Sequence, residues 1–225
     1  MLRVLTAAAL ASLACLSGAC AQEQQSAFSF TPATGWAPPD SFTFHPPNDP
    51  SNWRVGAFAG KFNAAPESVL FVAPFLGYRK FSPAYVGGLN AVWTVLSVPK
   101  IPLEIELDLS ATSHFGGQNY YEGAVVPSLR WTWFPWNNLV YTNFRFGVLG
   151  PSFTTIDSQL EAYNTLNNYT RRWLSGGLFE WTFAPAATSS WEAFMRIHHR
   201  SGVFGLIDGV YGGSNYVSFG ARFKL

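Results

Sequence analysis

The stretch Ile101–Ala111, IPLEIELDLSA, alternates between two kinds of side chain along its whole length. Its odd-numbered positions are all apolar, whereas its even-numbered positions include Glu104, Glu106 and Asp108. Because alternate side chains of a strand point to opposite faces, the pattern predicts a strand with one apolar face and one acidic face. The final stretch, 217–225, alternates in the same way, again with its odd positions apolar.

The composition favours a chain whose outer surface faces lipid. Only 12% of the residues are charged and 17% are aromatic, whereas a soluble domain carries about 25% charged residues. After residue 21 no run of 18 apolar residues occurs, which excludes a membrane protein built from spanning helices. The net charge of +1 excludes the basic surface of a nucleic-acid binder. These features predict an all-β fold closed into a transmembrane barrel.

The first 21 residues have the features of a secretory signal peptide. A basic start at Arg3 precedes an apolar core that ends in Ala19-Cys20-Ala21, a small-x-small cleavage site. A lipoprotein lipidated at Cys20 is the alternative, although Ser17 stands where a large aliphatic residue is usual. Cleavage after Ala21 removes both cysteines, so the mature chain is expected to have no disulfide and no cysteine metal site.

Strand-length segments with this alternation recur through the rest of the chain, and we predict eight strands. They are Trp53–Phe62, Tyr85–Leu96, Ile101–Ala111, Gly123–Trp133, Leu139–Leu149, Trp173–Phe183, Trp191–His199 and the final stretch. A ninth candidate, Ser68–Phe81, is interrupted by Pro74, and we assign it to an outer loop or a strand extension because bacterial barrels have an even strand number. The predicted fold is an eight-stranded antiparallel β-barrel of the bacterial outer membrane over 53–225, after a Pro-rich arm over 22–52.

The connections and the charged positions fit this barrel. Short connections are predicted at 97–100, 134–138 and 184–190, and long ones at 112–122, 150–172 and 200–214, the two kinds alternating as in outer-membrane barrels. A lumen of eight strands is just wide enough for side chains to fill. We expect it to hold ion pairs among Glu104, Glu106, Asp108, Glu180, Glu192, Arg130, Arg145, Arg196, Arg222 and Lys224, since buried charges need partners.

A His-x-Ser pair ends the strand Trp191–His199. The odd positions of that strand are largely apolar, so His199 and Ser201 are predicted to face lipid, whereas His198 faces the lumen. Asn215 has the same parity at the start of the last strand and is expected to meet them on the outer wall. A serine, a histidine base and an amide that orients the histidine can form a nucleophilic site.

Over His199-Arg200-Ser201 and the last strand, the sequence resembles the outer-membrane lipid A 3-O-deacylase family, which are eight-stranded barrels. The resemblance implies a serine esterase that removes an ester-linked acyl chain from lipid A, with His199 as general base and Ser201 as nucleophile. The family has a carboxylate where this chain has Asn215 and an asparagine where it has Gly202. Asp208 is an alternative acid.

Backbone N–H groups of the glycines after the serine are candidates for an oxyanion site. These glycines are Gly202, Gly205, Gly212 and Gly213. The expected partners are lipid A or lipopolysaccharide, outer-membrane lipid and the machinery that assembles outer-membrane barrels, with no nucleic acid; a homodimer stays open. His45 and His114 stand apart from other ligand residues, so no metal or cofactor is assigned. A non-catalytic barrel that is structural, or that binds lipopolysaccharide or a surface partner, is the alternative function.

Overall fold

The computed structural model describes residues 38–65 and 81–225. A two-residue strand, β1 (Thr43–Phe44), precedes eight long strands that form one closed antiparallel barrel. The barrel strands are β2 (Trp53–Asn63), β3 (Phe81–Ser97), β4 (Leu103–Phe115), β5 (Tyr120–Trp131), β6 (Tyr141–Thr154), β7 (Trp173–Ala184), β8 (Trp191–Ser201) and β9 (Gly213–Lys224). Each pairs with the next along the chain, and β9 pairs with β2, which closes the ring. The predicted eight-stranded fold is confirmed.

In the described part of the chain, one end of the barrel, the turn end, has connections of at most nine residues, whereas the other, the loop end, has connections of up to 18 residues. The turn end carries the connections 98–102, 132–140 and 185–190, together with β1, which pairs with β3. The loop end carries 116–119, 155–172 and 202–212, and the second of these contains the helix α1 (Gln159–Tyr163). No helix in the described part of the chain is long and apolar enough to cross a membrane.

The connection predicted over 112–122 is much shorter in the structure. β4 continues to Phe115 and β5 begins at Tyr120, so only 116–119 connect them. The reason is that Thr112 and His114 keep the inward side of β4 and pair with Glu122 and Tyr120 of β5. The ninth candidate segment, Ser68–Phe81, lies outside the described residues except for Phe81, which opens β3. The predicted signal peptide and most of the predicted N-terminal arm lie outside them as well.

The outer wall is apolar, as the alternation predicts. Large side chains that stay exposed on the strands include Leu89, Leu129, Trp173, Phe219 and Phe223. Exposing them to water would cost about 25 cal/mol for each Å² of apolar surface. A wall of this kind is suited to lipid, where exposed apolar side chains do not carry that cost.

The lumen is filled by ion pairs around Asp108 and Glu180. Arg145 Nη1 donates to Asp108 at 3.1 Å and to Glu180 at 2.9 Å. Arg196 donates to Asp108 at 2.5 Å and to Glu180 at 2.6 Å. Arg222 completes the group by pairing with Glu180. Each of these side chains is at most 1% exposed, and a buried charge without a partner would cost about 3–5 kcal/mol. The pairs therefore fix which face of each strand points inward.

Candidate active site on the outer wall

The site lies on the outer wall at the loop end, where β8 ends. His199 and Ser201 are both partly exposed on the outward face of β8, whereas Arg200 between them is buried in the lumen. The register places Gly177 of β7 beside His199 on one side and Asn215 of β9 beside it on the other. The strand period and the closed ring thus bring the three predicted residues together.

A chain of hydrogen bonds runs through the imidazole of His199. Its Nδ1 lies 2.7 Å from Asn215 Oδ1, and its Nε2 lies 3.0 Å from Ser201 Oγ. The Asn215 amide is oriented by its own donor, because Nδ2 donates to the Ala65 carbonyl at 3.1 Å. Its Oδ1 is therefore the atom that faces the histidine, so Nδ1 carries the proton and the lone pair of Nε2 can accept from the serine hydroxyl. This is the tautomer that a serine nucleophile needs.

The loop after Ser201 folds back tightly on itself. The N–H of Gly202 donates to the Gly212 carbonyl at 3.2 Å, and that of Gly205 donates to Val210 at 3.0 Å. Both groups are therefore bound within the loop. A Cβ at Gly202 would lie 2.2 Å from the Val210 oxygen. A side chain at this position would therefore require the loop to shift.

Val203 provides a backbone donor that the sequence did not single out. Its N–H lies 3.4 Å from Ser201 Oγ. The residue has φ of 52°, a left-handed conformation that is a genuine outlier for a β-branched side chain. Such strain persists where the surrounding structure holds it and is often found at functional sites.

Asp208, the alternative acid, lies in the loop between β8 and β9. It is exposed, and it makes no hydrogen bond to His199 in the part of the chain that the structure describes. The hydrogen bond to Nδ1 that the alternative would require is made instead by Asn215. The structure therefore assembles the serine, the histidine and the asparagine, and leaves the aspartate outside the group.

An apolar groove of about 400 Å³ opens beside the two reactive groups. Its floor includes Gly176 and Gly177, and its walls include Phe146, Phe179 and Phe204, while His199 and Ser201 line it too. A Cβ at Gly177 would lie 3.1 Å from the Gly147 carbonyl oxygen and 3.3 Å from His199 Cδ2, so a side chain there would crowd the histidine. A larger apolar hollow of about 780 Å³ lies on the wall of β2, β3, β4 and β9, and its lining has no histidine or carboxylate.

Arg200 anchors the site from behind. Its guanidinium pairs with Glu161 of α1 and donates to Ser152 Oγ at 3.1 Å. It also donates to the carbonyls of Arg171 and Arg172, both at 2.6 Å. The end of β8 is thus tied to the loop 155–172 through the lumen. The sequence does not reveal this role, because nothing local marks Glu161 as the partner of an arginine 39 residues away.

A second polar cluster lies inside the barrel near the same end. His114, assigned no site from the sequence, lies next to Glu122 and His198, and the three side chains offer ligand atoms within 4.8 Å of one another. His198 is the neighbour of His199 but points the opposite way, into the lumen. In the described part of the chain these are the residues whose donor set could hold a metal ion.

Comparison with known proteins shows the fold and nothing finer. No protein-family model matches the chain, and no curated protein matches it. Among solved structures, the outer membrane enzyme PagL is 13% identical with a TM-score of 0.51, over 76% of this chain and 99% of that one. Neisserial surface protein A is 12% identical with a TM-score of 0.46, over 78% of this chain and 98% of that one. The chain has the fold of outer-membrane barrels, which agrees with the predicted location in the bacterial outer membrane.

Proposed function

We propose that the protein is an outer-membrane esterase that hydrolyses an ester-linked acyl chain of lipid A. The observation that carries the proposal is the hydrogen-bond chain from Asn215 through His199 to Ser201, on a wall that faces lipid. Polar groups on a lipid-facing wall are energetically costly, so they are candidates for functional residues. A serine hydroxyl hydrogen-bonded to a histidine in the required tautomer is suited to act as a nucleophile.

In the proposed reaction Ser201 Oγ attacks the carbonyl carbon of the ester, and His199 Nε2 takes the serine proton. The Asn215 oxygen stabilises the protonated imidazole through Nδ1 and keeps the ring in place. The negative charge that forms on the former carbonyl oxygen is met by the Val203 N–H, which already points at the serine.

The tetrahedral intermediate then collapses and the ester bond to the alcohol breaks. The His199 proton passes to the departing sugar hydroxyl, which leaves the acyl group on Ser201. A water, deprotonated by the same nitrogen, attacks the acyl-enzyme and releases the fatty acid, while the serine regains its proton. No cofactor takes part in these steps.

The substrate class follows from where the site lies. With the turn end in the periplasm, as is usual for these barrels, the loop end lies outside and the site reaches the outer leaflet. That leaflet is where lipid A resides, and the apolar groove is open to its acyl chains. The resemblance over His199-Arg200-Ser201 points to the same substrate.

The test is mass spectrometry of lipid A from cells that express the protein or its Ser201→Ala and His199→Ala variants. We expect one acyl mass to be lost with the intact protein and retained with both variants. A matched control is Ser113→Ala, which changes a partly exposed serine on the outward face of β4 and should leave deacylation intact. All variants must first migrate as folded barrels on unheated gels.

Two results would count against the proposal. Deacylation by a folded Ser201→Ala variant would show that Ser201 is not the nucleophile. Unchanged lipid A in every sample, together with no labelling of the intact protein by a serine-reactive phosphonate, would favour a non-catalytic barrel that is structural or that binds lipopolysaccharide.

A further inference from the structure

We infer that the lumen holds a binding site for one divalent transition-metal ion, best suited to Zn²⁺, formed by His114, Glu122 and His198. The site is separate from the outward-facing serine and histidine, and it does not depend on the proposed esterase activity. It is carried by the geometry of the three side chains and by the charge of the one carboxylate among them.

The three residues come from different parts of the ring and meet across the lumen. His114 on β4 and Glu122 on β5 lie on the inward faces of paired strands. His198 comes from β8, which pairs with neither β4 nor β5. Its Nε2 lies 3.1 Å from Glu122 Oε2, and the Nε2 of His114 lies 2.9 Å from the same oxygen. Two imidazole nitrogens thus converge on one carboxylate oxygen.

Two of the three ligand separations are close to those of a zinc site, and all three are within 4.8 Å. In a tetrahedral site with bonds of about 2.0–2.1 Å, ligand atoms stand about 3.3 Å apart. The two nitrogen–oxygen distances, 2.9 and 3.1 Å, need to open by only a few tenths of an ångström. Two histidines and a carboxylate are a common zinc ligand set, and imidazole ligands also suit nickel, copper and iron. The Thr112 hydroxyl, 3.2 Å from His114 Nε2, can contact the ion or a water bound to it.

The charge of Glu122 distinguishes it from the other acidic residues inside the barrel. Within the described residues, arginines pair with Glu104, Glu106, Asp108, Glu161, Glu180 and Glu192. Glu122 has the two histidines and Ser152 instead. It is only 4% exposed, and a buried carboxylate needs a cation beside it. A metal ion bound by both imidazoles supplies that charge.

The surroundings hold Glu122 and the His114 ring in place. Ser152 Oγ donates to Glu122 Oε1 at 2.7 Å and accepts from Arg200 Nε, so the carboxylate is oriented from outside the site. The His114 ring stacks on Tyr120 with centroids 4.2 Å apart and planes 5° apart. Glu122 and the His114 ring are therefore positioned before an ion binds.

The test is to titrate the folded, chelator-treated barrel with metal ions. Binding of Zn²⁺ is measured by calorimetry and binding of Co²⁺ by visible absorption. We expect one ion per chain and the absorption bands of four-coordinate Co²⁺. His114→Gln and His198→Gln should each weaken Zn²⁺ binding by at least tenfold. His45→Gln is the matched control, because His45 lies at the turn end, where it is hydrogen-bonded to Ser97. This variant should bind Zn²⁺ as tightly as the intact chain does.

Zinc-edge X-ray absorption of the loaded intact protein needs no variant and keeps the inference testable if the variants fail to fold. It should show two imidazole ligands. No stoichiometric binding, a shell without imidazole, or binding equally strong in both lumen variants would overturn the site, whatever the outcome of the lipid A experiment.

Discussion

Replacing Arg200 by methionine should destabilise the whole barrel, although the residue lies at the end of a strand. The guanidinium is 2% exposed and pairs with Glu161, with Ser152 and with two backbone carbonyls. Methionine fills a similar volume but offers no donor. The change therefore leaves the Glu161 carboxylate, itself 1% exposed, without its cation.

The size of the effect follows from that uncompensated charge. Removing one partner of a buried pair costs about 3–5 kcal/mol. Glu161 keeps the Thr170 and Ser214 hydroxyls, which places the expected loss of unfolding free energy near the lower value, about 3 kcal/mol. Adding Glu161→Gln removes the buried charge, so the double variant should lose only about 1–2 kcal/mol.

The assay is urea unfolding of the purified barrel in detergent micelles, followed by the fluorescence of its nine tryptophans. Arg171→Met is the matched control, because that arginine is exposed and lies over the Tyr169 ring at 4.3 Å; it should cost less than about 1 kcal/mol. The reasoning fails if Arg200→Met costs no more than this control, or if the double variant is less stable than Arg200→Met alone.

Three further changes probe the site and the lumen. Asn215→Ala should lower kcat/KM on an ester substrate about tenfold, since losing a hydrogen bond of about 1.4 kcal/mol leaves the histidine less often in its active tautomer; Asn90→Ala, a buried asparagine in the lumen, should not. Gly177→Ala should lower kcat several-fold, because its Cβ would lie 3.3 Å from His199 Cδ2 as well as 3.1 Å from the Gly147 carbonyl oxygen; a wild-type kcat would contradict this. Glu180→Gln should lower the unfolding free energy by about 3 kcal/mol or more, since arginines from three strands lose a shared partner; an unchanged urea midpoint would refute it.

The features that the sequence predicted well are those set by neighbours along one strand. Alternation alone decides that Glu106 and Asp108 point inward and that His199 points outward, because a strand has a period of two. The meeting of His199 with Asn215 was also within reach, since adjacent antiparallel strands joined by one loop must pair. Both residues have odd numbers and so face the same side of the sheet, and they meet if the register places them opposite each other. The structure pairs these two residues directly.

The features that it missed depend on closure of the ring. The Ala65 carbonyl that orients Asn215 is 150 residues away along the chain, and His198 meets Glu122 across 76 residues. No local pattern encodes such contacts, because they exist only once β9 pairs with β2 and the lumen has a fixed width. The ends of strands are also hard to predict from the sequence. At β4, the polar residues that point inward near the loop end resemble a connection, although the strand continues to Phe115.

The two candidate sites share one strand, and this has a consequence for how the outer site is held. His198 and His199 are consecutive, so one imidazole lies in the polar lumen and the other on the lipid face. The interior that backs the wall combines an apolar cluster that includes Phe58, Phe194 and Tyr216 with ion pairs and hydrogen bonds. Satisfied polar networks such as those of Arg200 and His198 make the strands that they join more rigid. The lumen therefore serves as the rigid support for reactive groups whose own surroundings are fluid lipid.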